Sequence, residues 1–511
     1  MPSESNKRIA KNTILLYFRS IIVMLISLYT SRIVLKVLGV EDYGIYNVVG
    51  GLVSMFSLIS SSMVAASSRF ITFELGRNNF DKLKETVSGC VTIHILLGLI
   101  VVVVAEIVGV WFLNYKMNIS PDRIVAANWV FQCSLLTFFF NLISTPYNAI
   151  IMSHERMSAF AYISILEVSL KLLMVFLLTW ILFDKLIVYA LLMLSISILL
   201  RIIYRIYCKT HFPEVRQIRL KINPDLFKQL FSFTGWEMIG SGSYILRNQG
   251  IDILLNLFFG VVVNAAKGVA NQVQTAVYSF VSNFQMAINP QITKNYAANN
   301  YERVHFLIKQ GTRFSFYLFL SLSMPIMLET KMILDLWLVK IPDYSVVFVQ
   351  LTFINLLIHI FYRFMVVAIL STGRIKKYQL VVGGTKLLAL PLTYLFLKLG
   401  GNPTTGLLVV IFLEAVCVFF NLQFVKNIVG FDYKDFLKDV VAKSLFVMMI
   451  ALILPLFVKF YLTNVNKYLY ISIITIVSFF SCGLSIYYLG LLQTEKQIIK
   501  NMIGKQLKKI K

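Results

Sequence analysis

Long apolar runs separated by short polar stretches recur along nearly the whole chain. A run of about 18 or more predominantly apolar residues can cross a bilayer as a helix. The pattern predicts fourteen such helices, at 12–38, 43–66, 87–113, 124–150, 159–182, 186–208, 228–259, 262–289, 306–337, 345–371, 378–398, 404–425, 441–461 and 467–492. Several exceed the roughly 20 residues needed to cross, so they tilt or emerge from the bilayer. The predicted fold class is an all-α polytopic membrane protein, with nothing left over for a soluble domain. Lys7, Arg8 and Lys11 precede the first run as in a signal peptide. That run continues from Asn12 to Leu38 without a small-residue cleavage site, so it is expected to be retained.

Loop charge then orients the spans. With the N-terminus placed in the cytoplasm, 32 Lys and Arg fall on that side, 8 on the other and 8 inside spans. Both termini are therefore expected to be cytoplasmic. The longest basic connection, RIYCKTHFPEVRQIRLKINPDLFK from Arg205 to Lys228, divides the chain into six spans before and eight after. It reads as a linker compatible with an anionic lipid surface. The expected organisation is a six-helix lobe at 1–208, a basic linker at 209–227, a second six-helix lobe at 228–430, and two appended helices with a basic tail at 431–511.

A repeat relates the two lobes. NNFDKL (Asn78–Leu83) meets NNYERV (Asn299–Val304) at an offset of 221, and there Gly39 also meets Gly260. At an offset of 218, MSHERMSAF (Met152–Phe160) meets LSTGRIKKY (Leu370–Tyr378), pairing Ser153 with Ser371 and Arg156 with Arg374. An even six-span repeat keeps the same orientation, so the expected lobes are related by a pseudo-twofold along the membrane normal and enclose a central cavity.

Composition narrows the class. The chain is 58% apolar and 14% charged, too little charge to keep 511 residues soluble. Its net charge of +24 is scattered among short loops rather than gathered on one face, which argues against nucleic acid as a partner. The five cysteines are widely spaced and the five histidines form no metal-ligand pattern. No catalytic residue, metal or cofactor is expected.

Against that background VLGVEDYGIYNVVGGL (Val37–Leu52) resembles the LG-x-x-x-[YF]-G-x-[YF] stretch of O-antigen and capsule flippases. These form the polysaccharide-transport family of the multidrug, oligosaccharidyl-lipid and polysaccharide exporter (MOP) superfamily. FFGVVVNAAKGVANQV (Phe258–Val273) resembles the equivalent place in the second lobe, with Ala265 where the family often has Gly. The resemblance implies a MATE-like fold in a bacterial inner membrane. It implies transport of an undecaprenyl-diphosphate-linked oligosaccharide to the periplasmic leaflet by alternating access, without enzymatic chemistry. A proton or sodium ion as coupling ion and a polysaccharide polymerase as partner are further expectations.

Ionisable residues inside spans are costly and mark function by default. Basic ones outnumber acidic ones, as a diphosphate cargo requires, because Arg supplies bidentate donors to phosphate oxygens. The candidate cargo-binding residues are Arg19, Arg32, Arg247, Lys267, Arg363 and Lys386. The candidate coupling or cavity polar residues are Asn248, Gln249, Asp252, Glu237 and Glu167. Structural roles compete: Glu167 and Lys171 are spaced for an i, i+4 pair. Arg247 or Asp252 could instead anchor an interhelical salt bridge. Gly235, Gly240, Gly242 and Gly250 make span 7 breakable. A lipid II flippase or a cation-coupled drug exporter of the same superfamily is the alternative cargo class. A membrane glycan polymerase, ligase or acyltransferase fits less well, because the external loops are short and offer no carboxylate pair.

Overall fold

The computed structural model describes residues 2–497, except 55, 116–118, 217, 219–222, 339–340, 463–465 and 494. The basic tail beyond Gln497, and Lys116, Asn118, Arg219, Lys221 and Lys340 in the loops, lie outside the described residues.

The chain is helical along its described length. The helices are α1 (Pro2–Ser54), α2 (Ser57–Gly76), α3 (Phe80–Tyr115), α4 (Ile124–Ser153), α5 (Met157–Leu178) and α6 (Lys185–His211). After a short turn at Pro213–Val215 come α7 (Pro224–Phe259), α8 (Val261–Ala297), α9 (Tyr301–Leu328), α10 (Thr330–Trp337) and α11 (Ser345–Ser371). The last four runs are α12 (Lys376–Lys398), α13 (Thr405–Val429), α14 (Tyr433–Tyr461) and α15 (Lys467–Gly490). Among the described residues nine of these are long and apolar enough to cross a membrane, and ten if the bent pair α9–α10 counts as one span. The other predicted spans fall on α1, α2, α7 and α8. These helices carry more polar residues, and side chains that the bilayer does not favour need partners inside the protein.

Local chemistry accounts for the helix ends. Asp184 caps α6, its carboxylate accepting the backbone N–H of Leu186 at 3.0 Å and of Ile187 at 3.1 Å. Asn223 does the same for Asp225 at the start of α7, and Asp432 for Lys434 before α14. The outward face of α3 carries Ile100, Val103, Val104, Ile107, Val108 and Trp111, all exposed and at helical spacing. With no acid or base among them, this stripe suits contact with lipid chains.

The predicted repeat is written into the backbone. Gly39 and Gly260 both break helix with positive φ, 80° and 77°. Asn78 and Asn299 both end a helix in the left-handed region, at 55° and 57°. Glu155 (59°) and Gly373 (75°) repeat this at the 218-residue offset. Residues matched only loosely by type are thus matched in conformation.

Span 7, breakable by its glycines, is continuous as α7 from Pro224 to Phe259, whereas the expectation for span 9 is corrected. Two of those glycines allow close approach instead. A Cβ at Gly240 would collide with the side chain of Gln379, and one at Gly250 with that of Leu390. Span 9 is not one helix over 306–337. It bends by 82° between α9 and α10 at Glu329, whose φ of −124° and ψ of 39° leave helical geometry.

The chain divides into two compact units. The first contains Met1–Gly242, Met286–Asn300 and Leu370–Gln379; the second contains Ser243–Gln285, Tyr301–Ile369 and Leu380–Lys511. The division runs through continuous helices, so α7 and α8 contribute to both. The core of the first unit gathers Met63, Phe70, Val87, Ile150, Met157 and Leu200. Phe70 meets Phe233 edge-on at 5.7 Å between ring centres. The core of the second unit is more aromatic, with Phe316 stacked on Phe361 at 5.1 Å and Phe319 edge-on to Phe353 at 5.4 Å. There α15 docks on α14, where the Ser481 hydroxyl donates to the Ala451 carbonyl at 2.7 Å.

A buried charge cluster as candidate functional site

Four helices of the second unit bring charge together. Arg247 projects from α7 and Glu414 from α13, and their side chains are 3% and 1% exposed. Arg247 Nη1 donates to Glu414 Oε1 at 2.6 Å. The second carboxylate oxygen accepts from the Tyr362 hydroxyl of α11, and that hydroxyl lies 2.8 Å from His359 Nδ1 one turn earlier. Arg247 also lies over the Tyr244 ring at 5.0 Å, and its Nε is buried without an acceptor among the described residues. A buried charge is tolerated only when paired and hydrogen-bonded, and Glu414 meets both conditions.

Two further cations belong to the surroundings of His359. Lys386 of α12 lies over the Tyr362 ring at 5.8 Å. Arg363 follows Tyr362 on α11. Lys386, Arg363, Arg247 and Glu414 are all within electrostatic reach of His359. Lys386 and Arg363 are half-buried, and among the described residues neither has a carboxylate partner. Arg247 and Lys386 thus act on one carboxylate, and Arg363 joins them around His359. A low-dielectric surrounding strengthens the attraction of such a cluster for an added anion.

The remaining candidates fall elsewhere. Lys267 of α8 donates to Asp252 of α7 at 3.2 Å, with the lysine buried and the carboxylate 31% exposed. Arg247 and Asp252 therefore serve different partners. Asn248 is half-buried and Gln249 exposed; among the described residues neither amide bonds to Asp252. In the first unit, Glu237 accepts from Gln379 Nε2 at 2.7 Å. Glu167 is taken by Lys171 at 2.6 Å along one face of α5, both more than a third exposed. Arg19 stacks on the Phe160 ring at 4.6 Å. The side chain of Arg32 lies outside the described residues.

Sequence reasoning missed the partners that assemble the cluster. Glu414 stands out as an acid inside a span, but its sequence distance of 167 residues from Arg247 hides the pair. Tyr362 and His359 read as ordinary interior residues; their i, i+3 spacing was the available signal. A second group went unnoticed in the first unit. Arg123 bridges Asp42 (2.6 Å) and Asp184 (2.6 Å), tying the start of α4 to α1 just past the Gly39 break and to the start of α6. Asp42 belongs to the same Val37–Leu52 stretch that carries the family resemblance.

These features define a multi-pass membrane protein with a transporter fold. Residues 9–296 match the model of the polysaccharide biosynthesis protein family, more than half of the chain, and the chain belongs to that family. No curated protein sequence matches it significantly. Among solved structures it is similar to a multidrug resistance MATE family transporter of the MOP superfamily in an outward-facing conformation. The identity is 11%, with 83% of this chain and 96% of that one covered and a TM-score of 0.70. It is also similar to a MATE protein in the straight conformation, at 12% identity, 83% and 96% coverage and a TM-score of 0.69. A MOP superfamily transporter from Pyrococcus furiosus gives the same values of 12%, 83%, 96% and 0.69. The fold is that of the MOP exporters.

Proposed function

We propose that this protein is a flippase for an undecaprenyl-diphosphate-linked oligosaccharide. It moves the cargo from the cytoplasmic to the periplasmic leaflet of a bacterial inner membrane by alternating access, and so serves O-antigen or capsule assembly. In this reading the chain has fourteen spans with both termini in the cytoplasm, supported by the excess of Lys and Arg in the loops on that side, and it catalyses no covalent step. The observation that carries the reading is the excess of cations at the buried cluster. Glu414 neutralises one of Arg247, Lys386 and Arg363, which leaves two positive charges and the unused Arg247 Nε for an anionic cargo. A diphosphate offers oxygens for several such donors. A site for cationic drugs would need the opposite sign. The Pyrococcus furiosus transporter of similar fold is described as having a binding pocket of reversed polarity that suggests a different function, a precedent for polarity setting cargo class on this fold.

Asp252 with Lys267 is the proposed coupling site, since a half-exposed carboxylate beside one lysine can exchange that partner for a proton or sodium ion. A polysaccharide polymerase is the proposed recipient of the cargo. The test scores arrival of lipid-linked oligosaccharide in the periplasmic leaflet, by lectin access from outside sealed cells or vesicles. Arg363→Ala and Lys386→Ala are expected to lower arrival severalfold at wild-type protein level. Normal arrival in both, and in the double variant, would assign the cations a structural role. Unchanged glycan export with loss of lipid II exposure would transfer the cargo to lipid II.

A further inference from the structure

A second cluster of cations lies in the first unit, outside the cluster proposed for cargo, and takes in the start of the basic stretch at Arg205–Lys228. Arg201, Arg205 and Lys209 follow one another at four-residue intervals on α6, so they form one stripe about 12 Å long. Like charges at that spacing oppose helix formation by a few tenths of a kcal/mol per pair. The turn at Pro213–Val215 then reverses the chain and adds Arg216 to the same concavity. The four line a cavity of about 370 Å³, walled on its other sides by apolar residues of α3 and by Tyr147 of α4.

Charge compensation from the protein is missing. Among the described residues none of the four forms an ion pair with a carboxylate. The neighbouring acid, Glu214, is buried and bound to His154 Nε2 at 2.6 Å. The deepest member is held in place by other means. Arg201 lies 4.1 Å over the Tyr147 ring and donates through Nη2 to its hydroxyl at 3.3 Å. That leaves Nη1 buried, with no acceptor among the described residues. Arg205 and Lys209 are exposed, and Ile202 and Ile206 beside them on α6 are 48% and 58% exposed. A cationic pocket whose rim is apolar and whose floor is a fixed guanidinium matches a phosphate carried on hydrocarbon chains.

We propose that this pocket is a binding site for the phosphate headgroup of a resident anionic phospholipid. Arg201 contacts the phosphate through its free Nη1, Arg205, Lys209 and Arg216 complete the cage, and the acyl chains lie along Ile202 and Ile206. The chemistry recognised is a phosphate-ester anion. The membrane's own lipids and the diphosphate of a lipid-linked cargo both carry it, and the location outside the second unit's cluster favours the former.

The experiment uses the full-length protein in nanodiscs of phosphatidylcholine alone or with phosphatidylglycerol or cardiolipin, and native mass spectrometry to count retained lipids. Wild type is expected to retain anionic lipid in preference to phosphatidylcholine and to melt higher in its presence. Arg205→Gln with Lys209→Gln changes only exposed side chains. It should weaken retention about thirtyfold, the weight that two cations carry at an anionic membrane surface. Arg201→Lys, which keeps the charge, should weaken it less. Equal retention by wild type and the double variant overturns the proposal. Retention of undecaprenyl diphosphate with no preference among the phospholipids overturns the resident-lipid assignment, and leakage of bound lipid to inorganic phosphate at millimolar level does the same. Glycan export with lipid retention lost, or the reverse, separates this site from the one proposed for cargo.

Discussion

The hydroxyl of Thr72 lies 2.6 Å from that of Ser153, deep in the first unit. The hydroxyl of Ser371 donates to that of Thr293 at 3.0 Å in the same unit. Thr293 is 221 residues after Thr72, and Ser371 is 218 after Ser153, the two offsets of the sequence repeat. Each pair joins α2 or α8 to the end of the helix before a positive-φ turn, α4 or α11. Removing one hydroxyl leaves its buried mate without that partner, which costs about 1–3 kcal/mol. Thr72→Val is expected to lower the melting temperature in detergent, and Thr72→Val with Ser153→Ala to lower it by less than the sum of the two single changes. Thr293→Val should behave alike. Additive losses would show that the pairs do not act as units.

Orientation has a direct readout. A cysteine at Asn402, between α12 and α13, should react with a membrane-impermeant reagent added outside cells. One at Asn299, between α8 and α9, should react only after the membrane is opened. The reverse pattern would overturn both the loop-charge reading and the orientation of the repeat.

The Arg123 bridge predicts a sensitivity to acid. Burial alone would push the Asp184 carboxyl up. The hydrogen bond from Arg123, the backbone N–H groups of Ile187 and Leu186, and the positive charge of Arg123 outweigh it, and the group titrates below the ordinary aspartate value of 3.8. A depressed carboxyl stabilises the folded state while it is ionised, and that contribution is lost as pH falls through its folded-state value. Asp184→Asn keeps an oxygen to cap α6 but removes the charge. It should melt lower than wild type at pH 7, with the gap closing below about pH 3.8. A constant gap across that window would mean that the charge is not what the substitution removed.

The parts legible in the sequence are those that hydrophobic runs and repeated backbone chemistry encode. Gly39 and Gly260 could be matched because a positive φ favours glycine, and Asn78 and Asn299 because asparagine enters that region more readily than most residues. The bend at Glu329 was not legible, because apolar residues continue on both sides of it and periodicity does not register a change of direction. Arg123 looked like one more loop cation, since its two aspartates lie 81 and 61 residues away. For the candidate site, the cations could be found by their cost in hydrocarbon. Which of them is neutralised depends on helix contacts that a single sequence does not record.

Glu414 tests whether its cluster is held by charge. Glu414→Leu strands Arg247 in a buried site, and breaking a buried pair from one side costs about 3–5 kcal/mol. The expected result is a large loss of folded protein in detergent. Arg247→Met with Glu414→Leu removes both charges and should recover most of that stability while transport stays low. Recovery of transport along with stability would show that neither charge meets cargo.

Arg247 and Asp252 finally separate the cargo contact from the coupling site, because the structure gives them different partners. Arg247→Lys keeps a positive charge that can still reach Glu414, so folding is expected to hold within a few degrees of wild type. It removes the planar fork and with it the spare Nε donor. If Arg247 binds cargo phosphate through that donor, transport should fall about tenfold, the loss of roughly one charge-assisted hydrogen bond. Asp252→Asn acts otherwise. Its carboxylate is 31% exposed, so losing the bond from Lys267 should cost little stability. Transport should persist but lose its dependence on the ion gradient, measured in vesicles with and without an imposed proton or sodium gradient. Normal, gradient-dependent transport in both variants would reduce these residues to helix-packing contacts. Loss of insertion in both would show that the two ion pairs exist to fold the second unit.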